Sequence, residues 1–135
     1  MSEPTVLVYH MDRVRLLALA QMSRAMNVRL VEVEETEYRA PIGLLTGNAD
    51  MAALAAGAGE LMNMDARPVD EEMIVMASFP EDLFYSFLQE LHDMNLLIGL
   101  KAVETENNQS WSGEILQTEL KRERAAFLKA KDEQS

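Results

Sequence analysis

Apolar and polar residues come in blocks along this chain, and the blocks recur. Thr5 to His10 (TVLVYH) is a continuous apolar run rich in β-formers and reads as a buried strand. Asp12 then caps a helix that extends to about Met26, with Val14, Leu17, Ala18, Met22 and Ala25 on one face. Asn27 is its stop signal. Val28 to Val33 (VRLVEV) is mixed, with Arg29 and Glu32 outward, as in an edge strand with one wet side. The same succession returns later. Glu72 to Ala77 (EMIVMA) is a second buried strand, and Ser78-Phe-Pro-Glu81 reads as a capping box with Ser78 as N-cap and Pro80 in the first turn. A helix follows to about Met94, its apolar face made of Leu83, Phe84, Phe87, Leu88, Leu91 and Met94. Gly99 precedes a fourth strand, Leu100 to Val103, with Lys101 outward. Ser110 or Ser112 caps a last helix whose face is Ile115, Leu116, Leu120, Phe127 and Leu128, and whose end frays after Lys129.

Between the two units lies an insertion, residues 34–71. Glu34-Glu-Thr-Glu-Tyr-Arg39 reads as an acidic turn or short helix, and Pro41 to Gly47 is apolar but broken by Pro and Gly. Asp50 caps a short Ala-rich helix that Gly57 and Gly59 weaken by about 1 kcal/mol each. The pattern predicts one α+β domain over residues 1–129 with a tail at 130–135. Strands one and three, apolar on both faces, are central; strands two and four are edges. Two sheets share that property. The favoured one is ferredoxin-like, a βαβ-insertion-βαβ chain in antiparallel order 4-1-3-2 with a C-terminal helix. The other is a small flavodoxin-like parallel α/β sheet, order 2-1-3-4, with the helix near Asp50 as a crossover. Its short, glycine-broken crossover counts against the parallel sheet. In the ferredoxin-like sheet, the last helix, the Pro41–Leu45 segment or a second subunit must cover the face that would otherwise be bare.

Charge and composition narrow the function classes. The net charge is −11. From Trp111 onward five basic residues balance five acidic ones, so the whole excess falls in residues 1–110. An acidic body disfavours nucleic acid and anionic membranes, which need clustered Lys and Arg. The chain has no Cys, which removes disulfides, thiol nucleophiles and thiolate metal sites and fits the cytoplasm. Residues 1–9 have no signal-peptide pattern, and no apolar run approaches the roughly 18 residues that span a bilayer.

Four stretches carry a family resemblance: Val6-Leu-Val-Tyr9, Pro41-Ile-Gly-Leu-Leu-Thr-Gly47, Glu71-Glu-Met-Ile-Val-Met76, and Leu100-Lys-Ala-Val103 through Trp111. With them the chain resembles a family of short bacterial proteins known only as a domain of unknown function. In that family's pattern a Leu-Lys-Ala-Val strand runs into a Thr-Pro-Thr-Asn segment and then Trp. Lys101, Thr105, Asn108 and Trp111 fall on it, while Glu106 and Asn107 depart from its Pro and second Thr. The resemblance implies no activity.

The same stretch is the chain's densest cluster of polar groups. Glu104, Thr105, Glu106, Asn107 and Asn108 set carboxylate, hydroxyl and amide side by side, ahead of the only Trp. Lys101, Glu104, Thr105, Asn108 and Trp111 are therefore the candidate residues for binding a ligand or partner. The same residues also have an architectural role open to them: Thr and Asn bond local backbone in turns, and Trp111 anchors the last helix. No catalytic constellation is evident. His10, Ser78 and Glu104 could meet only in the parallel sheet, without a Gly-x-Ser-x-Gly elbow. His10 and Asp12 lack a third metal ligand nearby, and Asp12 is used as a cap, so no metal is expected. Gly43, Gly47, Gly57 and Gly59 match neither a P-loop nor a dinucleotide fingerprint, so no cofactor is expected. Met51, Met62 and Met64 concentrate adaptable apolar groups in the insertion, a contact patch if they are not core.

The expectation is a cytoplasmic binding or regulatory module, non-enzymatic, with a protein partner or a small polar ligand. It self-associates through its sheet, with a dimer favoured. The competing expectation is a small enzyme acting on a polar metabolite through His10, Lys101 and Glu104, which requires His10 and Glu104 within about one substrate's length.

Overall fold

The computed structural model describes residues 3–133. Its elements are β1 (Thr5–Tyr9), α1 (Arg13–Ala25), β2 (Arg29–Val33), a 3-10 turn (Glu35–Glu37), α2 (Ile42–Thr46), α3 (Met51–Leu61), β3 (Met73–Ala77), α4 (Glu81–Asp93), β4 (Leu100–Val103) and α5 (Gly113–Glu133). They form a mixed α+β fold around one four-stranded sheet in the order β2-β1-β3-β4.

β1 pairs parallel with β2, β3 pairs parallel with β4, and the two central strands run antiparallel. Class and C-terminal helix are as expected, but the favoured ferredoxin-like order 4-1-3-2 is replaced. The order is that of the parallel alternative, while the central antiparallel pair makes the sheet mixed. Each parallel pair is closed by its own helix, a local βαβ crossover, so neither unit needs the other to place its strands. The insertion supplies no crossover; it returns the chain to the free side of β1.

The two units correspond closely. Five-residue strands begin at Thr5 and Met73, and thirteen-residue helices at Arg13 and Glu81, both an offset of 68. The offset extends to the backbone. His10 and Ser78 leave their strands with φ of 58° and 61°, and Asn27 and Asn95 leave their helices with φ of 59° and 56°. Asn takes left-handed φ at modest cost; His and Ser do so less readily. With Ser78 held there, the expected capping box does not form. Pro80 occupies the N-cap without a side-chain bond, whereas Asp12 caps α1 by accepting from the Arg15 amide at 3.0 Å.

Alternation along β1 and β3 divides the core in two. Val6, Val8, Ile74 and Met76 face α1 and α4, meeting Leu16, Leu19, Phe87 and Leu91. Leu7, Tyr9, Met73 and Val75 face the other way, against Ile42 of α2 and Leu116 of α5. Helices of the same chain thus cover both faces, which removes the reason for expecting self-association through the sheet. On α1 the buried stripe is Leu16, Leu19 and Met22, while Val14 and Leu17 of the expected face are exposed. The helix carries two apolar stripes, and docking on the sheet chose between them. Ser112, of the two expected caps, holds α5 by accepting from Ile115 N at 3.1 Å. α5 continues to Glu133 beyond the expected fraying point, with Phe127 and Leu128 exposed.

Candidate functional site

Because the central strands are antiparallel, the carboxyl ends of the two parallel pairs lie at opposite ends of the sheet. His10 leaves β1 at one end; Ser78 and Glu104 gather at the other. His10 follows the Tyr9–Met73 pair, and Glu104 follows the Met76–Val103 pair. At about 3.3 Å per residue and 4.8 Å per strand, they are separated by roughly 16 Å along the strands and 10 Å across them. The His10–Lys101–Glu104 arrangement and the His10–Ser78–Glu104 triad therefore do not assemble.

At the Glu104 end the insertion fills the space. Thr46 Oγ1 donates to Glu104 Oε2 at 2.6 Å, and Asn48 Nδ2 donates to Oε1 at 2.5 Å and to Ser78 Oγ at 3.1 Å. The register explains the need. Met76 pairs with Val103, so Glu104 stands where the first unit has Val33, which is buried. A carboxylate turned toward that face must be hydrogen-bonded, and α2 with its following turn does so. Arg29 Nη2 donates to Thr46 O at 3.1 Å and ties the same turn to β2.

The other candidates in this stretch are held locally. Lys101 Nζ donates to Ile98 O at 2.7 Å. Thr105 N donates to Asn108 Oδ1 at 2.8 Å, and Asn108 Nδ2 to Val103 O at 3.0 Å, closing the turn after β4. Trp111 packs beside the α5-side core, and its carbonyl accepts from Ile42 N at 2.8 Å. Gly43 N donates to Gln109 O at 2.8 Å. Glu106, Asn107 and Trp111 also line a shallow cleft of about 420 Å³ against Ala53 and Gly57 of α3.

The opposite end is open. A cleft of about 500 Å³ lies at the carboxyl ends of β1 and β2, beside the amino end of α1. His10, Tyr38 and five carboxylates line it: Asp12, Glu32, Glu34, Glu35 and Glu72. Three of these are engaged. Asp12 caps α1, Arg13 approaches Glu32 at 3.5 Å, and Arg15 grips Glu72 through two bonds of 2.8 Å while also donating to Leu97 O. The carboxylates of Glu34 and Glu35 have no hydrogen-bond or ion-pair partner among the described residues. Burial raises the Tyr38 phenol pKa, and the nearby Glu35 and Glu32 charges add to the shift against a hydrogen bond with the His10 backbone. Tyr38 is thus a neutral hydroxyl at ordinary pH, its ring 5.6 Å from that of Tyr9. Tyr9 is fully buried, burial raises its pKa too, and its hydroxyl has no partner among the described residues. Among those residues no group of three His, Asp or Glu side chains is arranged to hold a metal ion.

Lys101, Glu104, Thr105, Asn108 and Trp111 therefore lie outside this cleft, while His10 and Asp12 line it together with Glu34, Glu35, Tyr38 and Glu72, four residues that the sequence pattern does not single out. Glu34, Glu35 and Tyr38 belong to the acidic stretch after β2, which reads from sequence as a turn or short helix, and Glu72 to the start of the second buried strand.

Residues 72–127 match the family model Domain of unknown function (DUF3783). The match begins at the threshold of β3 and ends near the last turns of α5, so it covers the second βαβ unit and the helix behind it. It agrees with the resemblance to a domain of unknown function: the stretch Leu100–Trp111 lies inside it, and Glu71–Met76 does so in all but its first residue. No curated protein and no solved structure is found similar to the chain. Among the described residues no helix is long and apolar enough to cross a membrane.

Proposed function

We propose that this chain is a non-enzymatic binding module that receives a cationic group, an amine or guanidinium, in the His10 cleft. The observation that carries this reading is the pairing state of the carboxylates. Arg13 and Arg15 serve Glu32 and Glu72, while Glu34 and Glu35 face a cleft of about 500 Å³ with no counter-ion among the described residues. The cleft occupies the usual ligand position of α/β units, outside the carboxyl ends of parallel strands. Tyr38 adds a neutral hydroxyl and an aromatic surface suited to a cation. The distance between His10 and Glu104 supports the non-enzymatic reading, and the cysteine-free sequence supports a cytoplasmic setting.

Isothermal titration with spermidine, and separately with a short Lys/Arg peptide, tests the proposal and separates a small ligand from a protein segment. Binding should weaken with added salt and fall several-fold in Glu34→Gln/Glu35→Gln. Absence of heat with both probes at low ionic strength, or equal binding by the double variant, would refute it.

A further inference from the structure

The turn after β4 holds more polar groups than its shape requires. Thr105 and Asn108 close it by bonding each other's backbone and the Val103 carbonyl. The side chains of Glu106, Asn107, Gln109 and Ser110 have no hydrogen-bond or ion-pair partner among the described residues. All four line the cleft of about 420 Å³ between this turn and α3. The Glu60 carboxylate, equally without a partner among those residues, lines it from the α3 side. The apolar surface comes from Leu54, which is buried, and from Met64 and Trp111, which are half-buried.

The two walls are held together by the fold itself. A Cβ at Gly57 would stand 2.7 Å from Ser110 Oγ and 2.9 Å from Ser110 Cβ, so α3 meets the turn where a larger residue would press on Ser110. The amides of Ile42 and Gly43 fix the insertion to the carbonyls of Trp111 and Gln109. The cleft is thus formed without a ligand, and its volume falls within the range of small-molecule sites.

We infer that this cleft binds a small aromatic ammonium ion, its ring against Trp111 and Leu54 and its charge served by Glu60 and Glu106. These two carboxylates are the only charged side chains among the lining residues, so every charge in the cleft has one sign. Glu60 lies in the last turn of α3, where the helix dipole adds to that sign. Indole is the aromatic surface that attracts a cation most strongly. An anion is opposed by both carboxylates, and a neutral ring would gain the apolar contact alone. The net charge of −11 raises the concentration of cations near the surface. The cleft shares no lining residue with the His10 cleft, so the two sites are separable.

Trp111 is the only Trp of the chain, so its emission, excited where indole alone absorbs, reports on this cleft directly. Titration of the full chain with phenethylammonium should give a saturable change. Its uncharged counterpart, 2-phenylethanol, should bind at least fivefold more weakly, and spermidine, which has no ring, should leave the emission unchanged. Glu60→Gln/Glu106→Gln should reduce phenethylammonium to the affinity of the alcohol. Ala53→Phe, which fills the cleft from an exposed position, should abolish the response with an unchanged circular dichroism spectrum. Glu34→Gln/Glu35→Gln should respond like wild type. No saturable change up to about 10 mM, equal binding of amine and alcohol, a Glu60→Gln/Glu106→Gln chain that binds like wild type, or loss of the response in Glu34→Gln/Glu35→Gln would each overturn the inference.

Discussion

Removing the Glu104 carboxylate should loosen the insertion and leave the two βαβ units standing. Glu104→Ala deletes the acceptor of two side-chain bonds, from Thr46 at 2.6 Å and Asn48 at 2.5 Å. Bonds to a charged group contribute about 1.5–3 kcal/mol each. The net loss is smaller than their sum, because the Thr46 hydroxyl can turn its single proton to Gly43 O at 3.3 Å and Asn48 keeps Ser78 Oγ at 3.1 Å. A cost of about 2 kcal/mol is reasonable. Unfolding entropy near 2.1 cal/mol/K per residue gives about 0.28 kcal/mol/K for 135 residues, so Tm should fall by about 7 °C. Hydrogen exchange gives the location. Amides of α2 and of the α3 amino end should lose protection, while those of β1 and β3, buried between two helical layers, should retain theirs. Asn48→Ala combined with Glu104→Ala should cost less than the two single changes added together. A Tm within about 1 °C of wild type, or a loss of protection spread evenly over the sheet, would refute the clamp.

Two further tests concern packing and pH. Gly113→Ala should destabilise by about 1–3 kcal/mol although Ala is the better helix former, because the new Cβ would stand 2.3 Å from Tyr9 Cε2 in the buried core. Gly59→Ala, which meets nothing within 4 Å, should stabilise by about 0.5–1 kcal/mol, so thermal melts of the pair should shift in opposite directions. Arg124 donates to Glu71 at 2.8 and 3.1 Å and holds that carboxyl below its ordinary 4.5. The folded pKa is depressed, so this stabilisation is present above about pH 4.5 and is lost as pH falls through the folded value. In urea melts from pH 7 to pH 3, the gap between wild type and Arg124→Gln should narrow below pH 4.5. A constant gap would assign the effect to packing of the arginine stem.

Local physics made much of this molecule legible from its residues. Asp12 and Asp50 begin helices because a short carboxylate satisfies amide groups that the first turn cannot. The runs TVLVY and MIVMA are buried on both sides because neither carries a charged or amide side chain that must turn toward water. Thr105 and Asn108 shape the turn after β4 through bonds spanning three to five residues, which short-range sequence can express.

Tertiary structure decided what depended on distant partners. A doubly apolar strand is equally at home beside a parallel or an antiparallel neighbour, so strand order could not be read from β1 and β3 alone. The placement of β3 antiparallel to β1 then sent His10 and Glu104 to opposite ends of the sheet. Leu17 and Leu19 of α1 look alike in sequence, and only docking buries one and exposes the other. Glu104 and Glu34 likewise differ little as letters. One meets Thr46 and Asn48 across more than fifty residues, while the other opens into a cleft. Periodicity and capping act over a few residues and are written in the chain, whereas the partner of a side chain across the fold exists only once the fold has formed.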